Sequence, residues 1–425
     1  MVTGVGSLPR ASSRVRVLIA SGFAFLALAA VVAWWTWRAL HDPHGYDFRL
    51  AYAGGKVAWA TGRPQLQSTW TGTPLLAAAL ALTSRVLTLT TASHLLTLLN
   101  AALVISLLAV VLHRLRGVLE PGWWWATALA LVSFGPMMSS VWWKQFNIIA
   151  LVLAVAGFEA LRRERAGLAG GLIGLSVAIK PLVFLLPVAM LLARRTRRAG
   201  VVAIVWIVGL TLAGQGLLAA RAHDLSVLSP LSALTNFAQK TKPGHGYACM
   251  PLNFSPSTLL CKVAGSGDWT LVHVLSWAAV AILAVWAFDA LRGRGAASWE
   301  LFAFVCPLSV LLSPLDWSHY QIVLAPLFVL LLVGFTRSGA PAGAWLGLGC
   351  AFVLSSLMWE PYGTVIGAVD GLFRAHAQQA AKQVQDAYSV AGVAQFAQYV
   401  LLVTGVLWYS AVSRGARTAR RPLAS

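Results

Sequence analysis

Residues 162–198 read RRERAGLAGGLIGLSVAIKPLVFLLPVAMLLARRTRR. Between the two arginine clusters the only strongly polar side chains are Ser176 and Lys180. A bilayer-spanning helix takes roughly 20 apolar residues, so Leu168–Ala193 has the length of one long span. Lys180-Pro181 argues against a single helix. Proline lacks an amide donor and biases the residue before it away from helical geometry. The pattern predicts two short helices folded as a hairpin, with Arg162–Arg165 and Arg194–Arg198 returned to the same side.

Working outward, further apolar runs lie at Val17–Leu40, Leu95–Leu112, Trp123–Val141, Ile148–Leu161, Val201–Ala219, Trp269–Leu291, Leu301–Leu312, Ile322–Phe335, Ala342–Trp359 and Ala394–Val412. With the two hairpin arms this predicts an all-α, polytopic membrane protein of about 12 transmembrane helices, one domain over 1–425, with no separate soluble domain. The first run resembles a signal peptide, and Ala27-Leu28-Ala29 mimics a cleavage site. The run continues through Trp37 and is read as an uncleaved helix.

The arginines set the parity. They cluster at Arg10/Arg14/Arg16, Arg114/Arg116, Arg162/Arg163/Arg165, Arg194/Arg195/Arg197/Arg198, Arg292/Arg294, Arg337 and Arg414/Arg417/Arg420/Arg421. With a hairpin at Lys180, and with Pro74–Thr91 as an interfacial or re-entrant piece, every cluster falls on the cytoplasmic side, as the positive-inside rule requires. A single span at Leu168–Ala193 would export Arg194–Arg198. The N- and C-termini are then cytoplasmic. The outer face receives His41–Thr73, Lys144–Asn147, the Lys180 tip, Arg221–Asp268 and Ser313–His319, and an amphipathic surface helix is expected in Glu360–Gly392.

Composition agrees. Of the 425 residues 58% are hydrophobic and 11% charged, against about a quarter charged in soluble domains. The net charge of +19 sits in short clusters between apolar runs, without the basic-aromatic interleaving or finger spacing of nucleic-acid binders. There is no GxxxxGK[ST] loop, no GxSxG elbow and no zinc spacing, so neither a metal nor a cofactor is expected. Cys306 and Cys350 lie in apolar runs and are expected to be buried. Cys249 and Cys261 share a polar loop, where an oxidising compartment would permit a disulfide.

Residues able to do chemistry gather on the predicted outer face. Asp47 opens Tyr46-Asp47-Phe48-Arg49, just outside the first helix. In a desolvated pocket it can take a proton from a hydroxyl; the plainer alternative is a solvated acid paired with Arg49 or Lys56. Lys180, deep in an apolar stretch, suits an anionic lipid phosphate, unless it only snorkels to the interface. His319 and Asp316 fall in Ser313-Pro314-Leu315-Asp316-Trp317-Ser318-His319, either a phosphate-binding and proton-carrying site or a polar turn. Lys144-Gln145-Phe146-Asn147 offers donors and acceptors for sugar hydroxyls, or simply caps two helices. Asn253-Phe254-Ser255 has the spacing of a glycosylation acceptor.

Taken in order, these pieces resemble glycosyltransferase family 87, polytopic GT-C enzymes that include polyprenyl-phosphate-mannose-dependent α-mannosyltransferases. Asp47-Phe48 with Tyr52 and Gly62-Arg63-Pro64 resembles the first outer-loop motif. Gln145-x-Asn147, Gly170–Lys180 followed by Arg194-Arg195, Asn253-x-Ser255, and Ser313-Pro314-x-x-Trp317-Ser318-His319 are similar to the later ones. The chain departs at Thr73-Pro74, where the family often has Tyr-Pro-Pro, at Lys144, often glycine, and at Asp316, usually serine.

The resemblance implies a polyprenyl-phosphate-linked sugar donor, most often mannose. The sugar would pass with inversion to a glycolipid or polysaccharide hydroxyl at the outer, periplasmic face of a bacterial inner (plasma) membrane. Asp47 would be the base. His319 and Lys180 would neutralise the leaving phosphate, with Lys144, Gln145 and Asn147 at the donor and Asp316, Arg49 and Asn253 as further candidates. A lipid or glycan transporter is the alternative. Against it, the sequence carries one broken hairpin and no second copy of the broken helix pair that transporters often show.

Overall fold

The computed structural model describes residues 10–42, 45–67, 72–225, 269–291, 297–313, 318–356 and 393–419. Among them there are fifteen α-helices, two short 3-10 helices and no strand. They run α1 (Arg10–His41), α2 (Tyr46–Thr61), α3 (Pro74–Val86), α4 (Leu89–Leu115), α5 (Pro121–Ser133), α6 (Gly135–Trp142), α7 (Asn147–Arg162), α8 (Ala166–Ile179), α9 (Leu185–Leu192), α10 (Arg197–Ala222), α11 (Trp269–Ala290), α12 (Trp299–Leu311), α13 (Ala325–Ser338), α14 (Ala342–Ser356) and α15 (Val393–Ala419). The 3-10 helices are Pro64–Leu66 and Ser318–Leu324.

Among the described residues, four segments are long and apolar enough to cross a membrane: Ile19–His41, Leu89–Leu115, Arg197–Ala222 and His319–Ser338. Large apolar side chains such as Phe23, Leu98, Ile105, Trp206 and Ile282 point outward from them and from α11. An outward-facing apolar surface of this extent fits a hydrocarbon surround. Six shorter apolar helices accompany them.

The hairpin forms as the proline requires. Lys180 ends α8 in extended geometry, φ −149°, ψ 119°, and α9 begins at Leu185. The chain then returns to its starting side, because Arg195 Nη2 lies 2.6 Å from Glu164 Oε1. Arg114, Arg162 and Arg163 all pair with Glu159 near the end of α7, so three basic segments meet at one end of the bundle. Glycine lets the hairpin's first arm sit close to α10: a Cβ on Gly170 would fall 2.5 Å from the Ala199 carbonyl oxygen.

Two expectations change. The run Trp123–Val141 is not one helix. Phe134 is extended at φ −66°, ψ 115° because Pro136 opens α6 and cannot continue the ladder. Cys306 is buried but Cys350 is exposed on α14, since apolarity does not distinguish a core face from an outward one. Pro74–Thr91 divides into the 13-residue α3, about 20 Å long and too short to cross by itself, and the start of α4. The expected Glu360–Gly392 helix and the Cys249–Cys261 pair lie outside the described residues.

Among the described residues the buried apolar side chains form two clusters. One runs through the bundle, from Val104 and Phe134 to Phe302, Leu331 and Val406. A smaller one joins α2, α3, the first turns of α4 and the end of α10 through Phe48, Tyr52, Leu76, Leu80, Leu96 and Leu218. The polar site lies where these two cores meet.

Candidate active site

The small core delivers Asp47. It stands in the first turn of α2, where free backbone amides favour a carboxylate. Phe48 behind it is buried against Tyr52 and Phe146. The bundle supplies what faces it. Gln145 Nε2 donates to Asp47 Oδ2 at 2.6 Å. Lys180 Nζ donates to Gln145 Oε1 at 3.3 Å and sits 4.6 Å from the centre of the Tyr320 ring. His319 Nε2 lies 3.9 Å from Asp47 Oδ2. The imidazole is 8% exposed and the aspartate side chain 32%, so the acid is the more accessible member of that pair.

The supports beneath are main-chain grips. Asn147 Nδ2 at 2.9 Å and the Ser140 hydroxyl at 3.3 Å both donate to the His319 carbonyl. Asn100 Nδ2 donates to the Gln145 carbonyl at 3.0 Å. Burial raises the Asp47 carboxyl from its ordinary value, opposed by the Lys180 charge and the Gln145 hydrogen bond. A partly buried carboxylate whose basicity is raised in this way is suited to accept a hydroxyl proton.

The candidates therefore separate. Asp47, Gln145, Lys180 and His319 converge. Asn147 is fully buried and holds the His319 backbone. Lys144 turns the other way: at φ 53° it points its ammonium at the Asp42 carbonyl oxygen, with 1% exposure. Arg49 is exposed on α2. Asp316 and Asn253 lie outside the described residues. Sequence reasoning does not single out Asn100, Ser140 or Tyr320. Asn100 carries a signal after the fact, a lone amide inside the apolar run of α4.

Among the described residues no cluster of His, Cys, Asp or Glu is arranged to hold a metal. The arrangement can do acid–base and electrostatic work: one carboxylate, one ammonium and one imidazole gathered around the Gln145 amide and the Asp47 carboxylate.

The family model of glycosyltransferase family 87 matches residues 70–314, more than half of the chain. The chain belongs to glycosyltransferase family 87. As a family 87 member it is a membrane glycosyltransferase of the GT-C type. The matched segment contains Gln145, Asn147 and Lys180 but stops short of Asp47 on one side and His319 on the other, so those two rest on the geometry. A wider likeness exists to the polyprenol-phosphate-mannose-dependent alpha-(1-2)-phosphatidylinositol mannoside mannosyltransferase of Mycolicibacterium smegmatis (strain ATCC 700084 / mc(2)155). The two are 29% identical over 399 residues, covering 84% of this chain and 83% of the relative. No solved structure matches the chain.

Proposed function

We propose that the protein transfers a mannosyl residue from polyprenyl-phosphate mannose to a hydroxyl of a membrane glycolipid of the phosphatidylinositol mannoside class, with inversion at the sugar. The whole chain, 1–425, acts as one integral membrane domain. About twelve helices enter a bacterial inner membrane, the hairpin arms among them, with both termini cytoplasmic and the site at the outer face. The placement is supported by the gathering of Arg114, Arg162, Arg163 and Arg195 around Glu159 and Glu164. That cluster lies at the far end of α7 from Asn147, a 16-residue helix of about 24 Å.

The reading rests on one observation: Asp47 faces Lys180 across the Gln145 amide and has His319 directly beside it. The acceptor hydroxyl oxygen attacks the sugar C1 as Asp47 takes its proton. The bond from C1 to the phosphate oxygen breaks, and its electron pair leaves with the polyprenyl phosphate. The ammonium of Lys180 and the His319 imidazole lie where that departing anion can be stabilised, and such preorganised electrostatics supply much of the rate enhancement in many enzymes. Lateral access suits a lipid-borne donor. Family membership and the relative's name favour this over a transporter.

The test is transfer itself. Purified protein in lipid nanodiscs, given radiolabelled polyprenyl-phosphate mannose and phosphatidylinositol mannoside, should yield a labelled, larger glycolipid that is absent with GDP-mannose alone. No labelled product from this donor across a panel of glycolipid and polysaccharide acceptors would retire the reading. Impermeant thiol labelling of an Arg197→Cys variant in intact cells tests the placement: protection is expected, and modification would reverse it.

A further inference from the structure

We propose that Gln145 is a positioning residue that joins the two charged groups of the site, holding the Asp47 carboxylate and the Lys180 ammonium apart at a fixed distance and keeping Asp47 in its proton-accepting form. This rests on the reading of Asp47 as the base.

The hydrogen bonds leave the amide one orientation. A carboxylate only accepts and an ammonium only donates. Nε2 must therefore face Asp47 and Oε1 must face Lys180, as they do at 2.6 Å and 3.3 Å. The backbone of Gln145 is equally fixed. Its amide donates to the Ser140 carbonyl at 2.8 Å, and its carbonyl accepts from Asn100 at 3.0 Å. The residue is 7% exposed, so it is a poor ligand for a sugar hydroxyl, the role its sequence context implies.

The amide changes what the charges can do. In direct contact, Lys180 and Asp47 would neutralise each other: the carboxylate would lose basicity and the ammonium would be occupied. With the amide between them, the carboxylate receives a hydrogen bond that favours its ionised form, and the ammonium keeps donors for an incoming phosphate. Among the described residues, the titratable groups of other elements that face Asp47 are Lys180 from the end of α8 and His319 from the second 3-10 helix. Arg49 and Lys56 share its own helix, and Lys144 with Asp42 occupies the neighbouring α1–α2 junction.

Two variants test this. Gln145→Met keeps the shape and removes both hydrogen bonds. Gln145→Glu sets a like charge beside Asp47. The readouts are the pH profile of kcat/KM and, independent of turnover, the pH dependence of carbodiimide labelling at Asp47, followed by mass spectrometry with Asp47→Asn as the blank. Carbodiimide reacts with the protonated acid, so the labelling midpoint follows Asp47 itself. In Gln145→Met the midpoint and the acid limb should both move to higher pH by about one unit, further in Gln145→Glu, with kcat lowered roughly 10–10²-fold. An unmoved labelling midpoint in either folded variant overturns the proposal, and so does loss of fold in both. A midpoint that shifts in the variants while the wild-type protein transfers no sugar keeps the coupling and removes the transferase reading.

Discussion

The two cores hold their parts of the site in different ways. On the bundle side each group is fixed through its backbone. The His319 carbonyl is gripped by Asn147 and Ser140, Gln145 by Asn100, and Lys180 by the helix end that Pro181 enforces. On the other side Asp47 rides on α2, whose small core is built from few residues. It reaches the bundle through the Gln145 hydrogen bond, the Phe48–Phe146 contact and the tie from Lys144 to Asp42. The difference separates two tasks. A charged floor for a leaving anion has to be rigid, since electrostatic stabilisation depends on preorganisation. In the proposed mechanism the base, Asp47, is carried on a separate element, apart from that floor.

The comparison breaks most visibly at Asp47. Asp47→Asn keeps shape and one hydrogen-bonding oxygen while removing basicity. We expect sugar transfer to fall roughly 10²–10⁴-fold, while donor binding and the thermal midpoint stay near wild type. Near-wild-type turnover by a folded Asp47→Asn protein would place the base elsewhere and direct attention to Asp316.

Lys180→Ala tests the bundle side. Removing the ammonium should weaken donor binding by about 10–10²-fold, the scale of a charge-assisted hydrogen bond, with acceptor KM little changed. Lys180→Arg should rescue partly, because a planar fork replaces a point charge. An unchanged donor Kd in Lys180→Ala would sever Lys180 from the phosphate.

A third measurement concerns pH. Because burial raises the Asp47 carboxyl, the base loses its active form as pH falls through that raised value. The acid limb of kcat/KM should therefore lie above the pH at which an exposed aspartate titrates. Asp47→Asn should flatten whatever activity remains across this limb. A limb at the ordinary aspartate position would mean that the acid is solvated in the working enzyme.

Much of this arrangement is legible in the chain. Lys180-Pro181 predicts the hairpin, and the arginine clusters predict which ends share a side; the Arg195–Glu164 pair closes that hairpin. Asp47, Lys180 and His319 are recognisable as an acid, a deep cation and an imidazole with a motif around each. Direction is harder to read. Nothing in Lys144-Gln145-Phe146-Asn147 tells that a positive φ at Lys144 turns its ammonium away while the next residue faces the acid. Nor does an apolar run say which face meets a neighbour, so Cys350, expected inside, lies outside. The break at Phe134 is within reach of the sequence, since Pro136 stands inside Trp123–Val141 and its effect on a helix is fixed.

Lys144 yields the smallest effect, and the one that most sharpens the contrast between the two cores. The sequence puts it beside the donor; the structure uses it to tie the end of α1, through the Asp42 carbonyl, to the turn before α7. Gly45, at φ +50°, packs against this turn, and a Cβ there would lie 3.3 Å from Lys144 Cδ. Lys144→Met fills similar space but leaves the Asp42 carbonyl without its donor, a loss of about 1–3 kcal/mol for a buried polar group. The linkage between α1 and α2 should loosen and Asp47 should lose registry. We expect a thermal midpoint lower by a few degrees and kcat reduced by up to about tenfold, with donor Kd within about twofold of wild type. That split distinguishes a strut from a ligand. If Lys144→Met weakens donor binding as much as Lys180→Ala does, the ammonium swings toward the phosphate when substrate arrives, and the two cores share the donor rather than dividing the work.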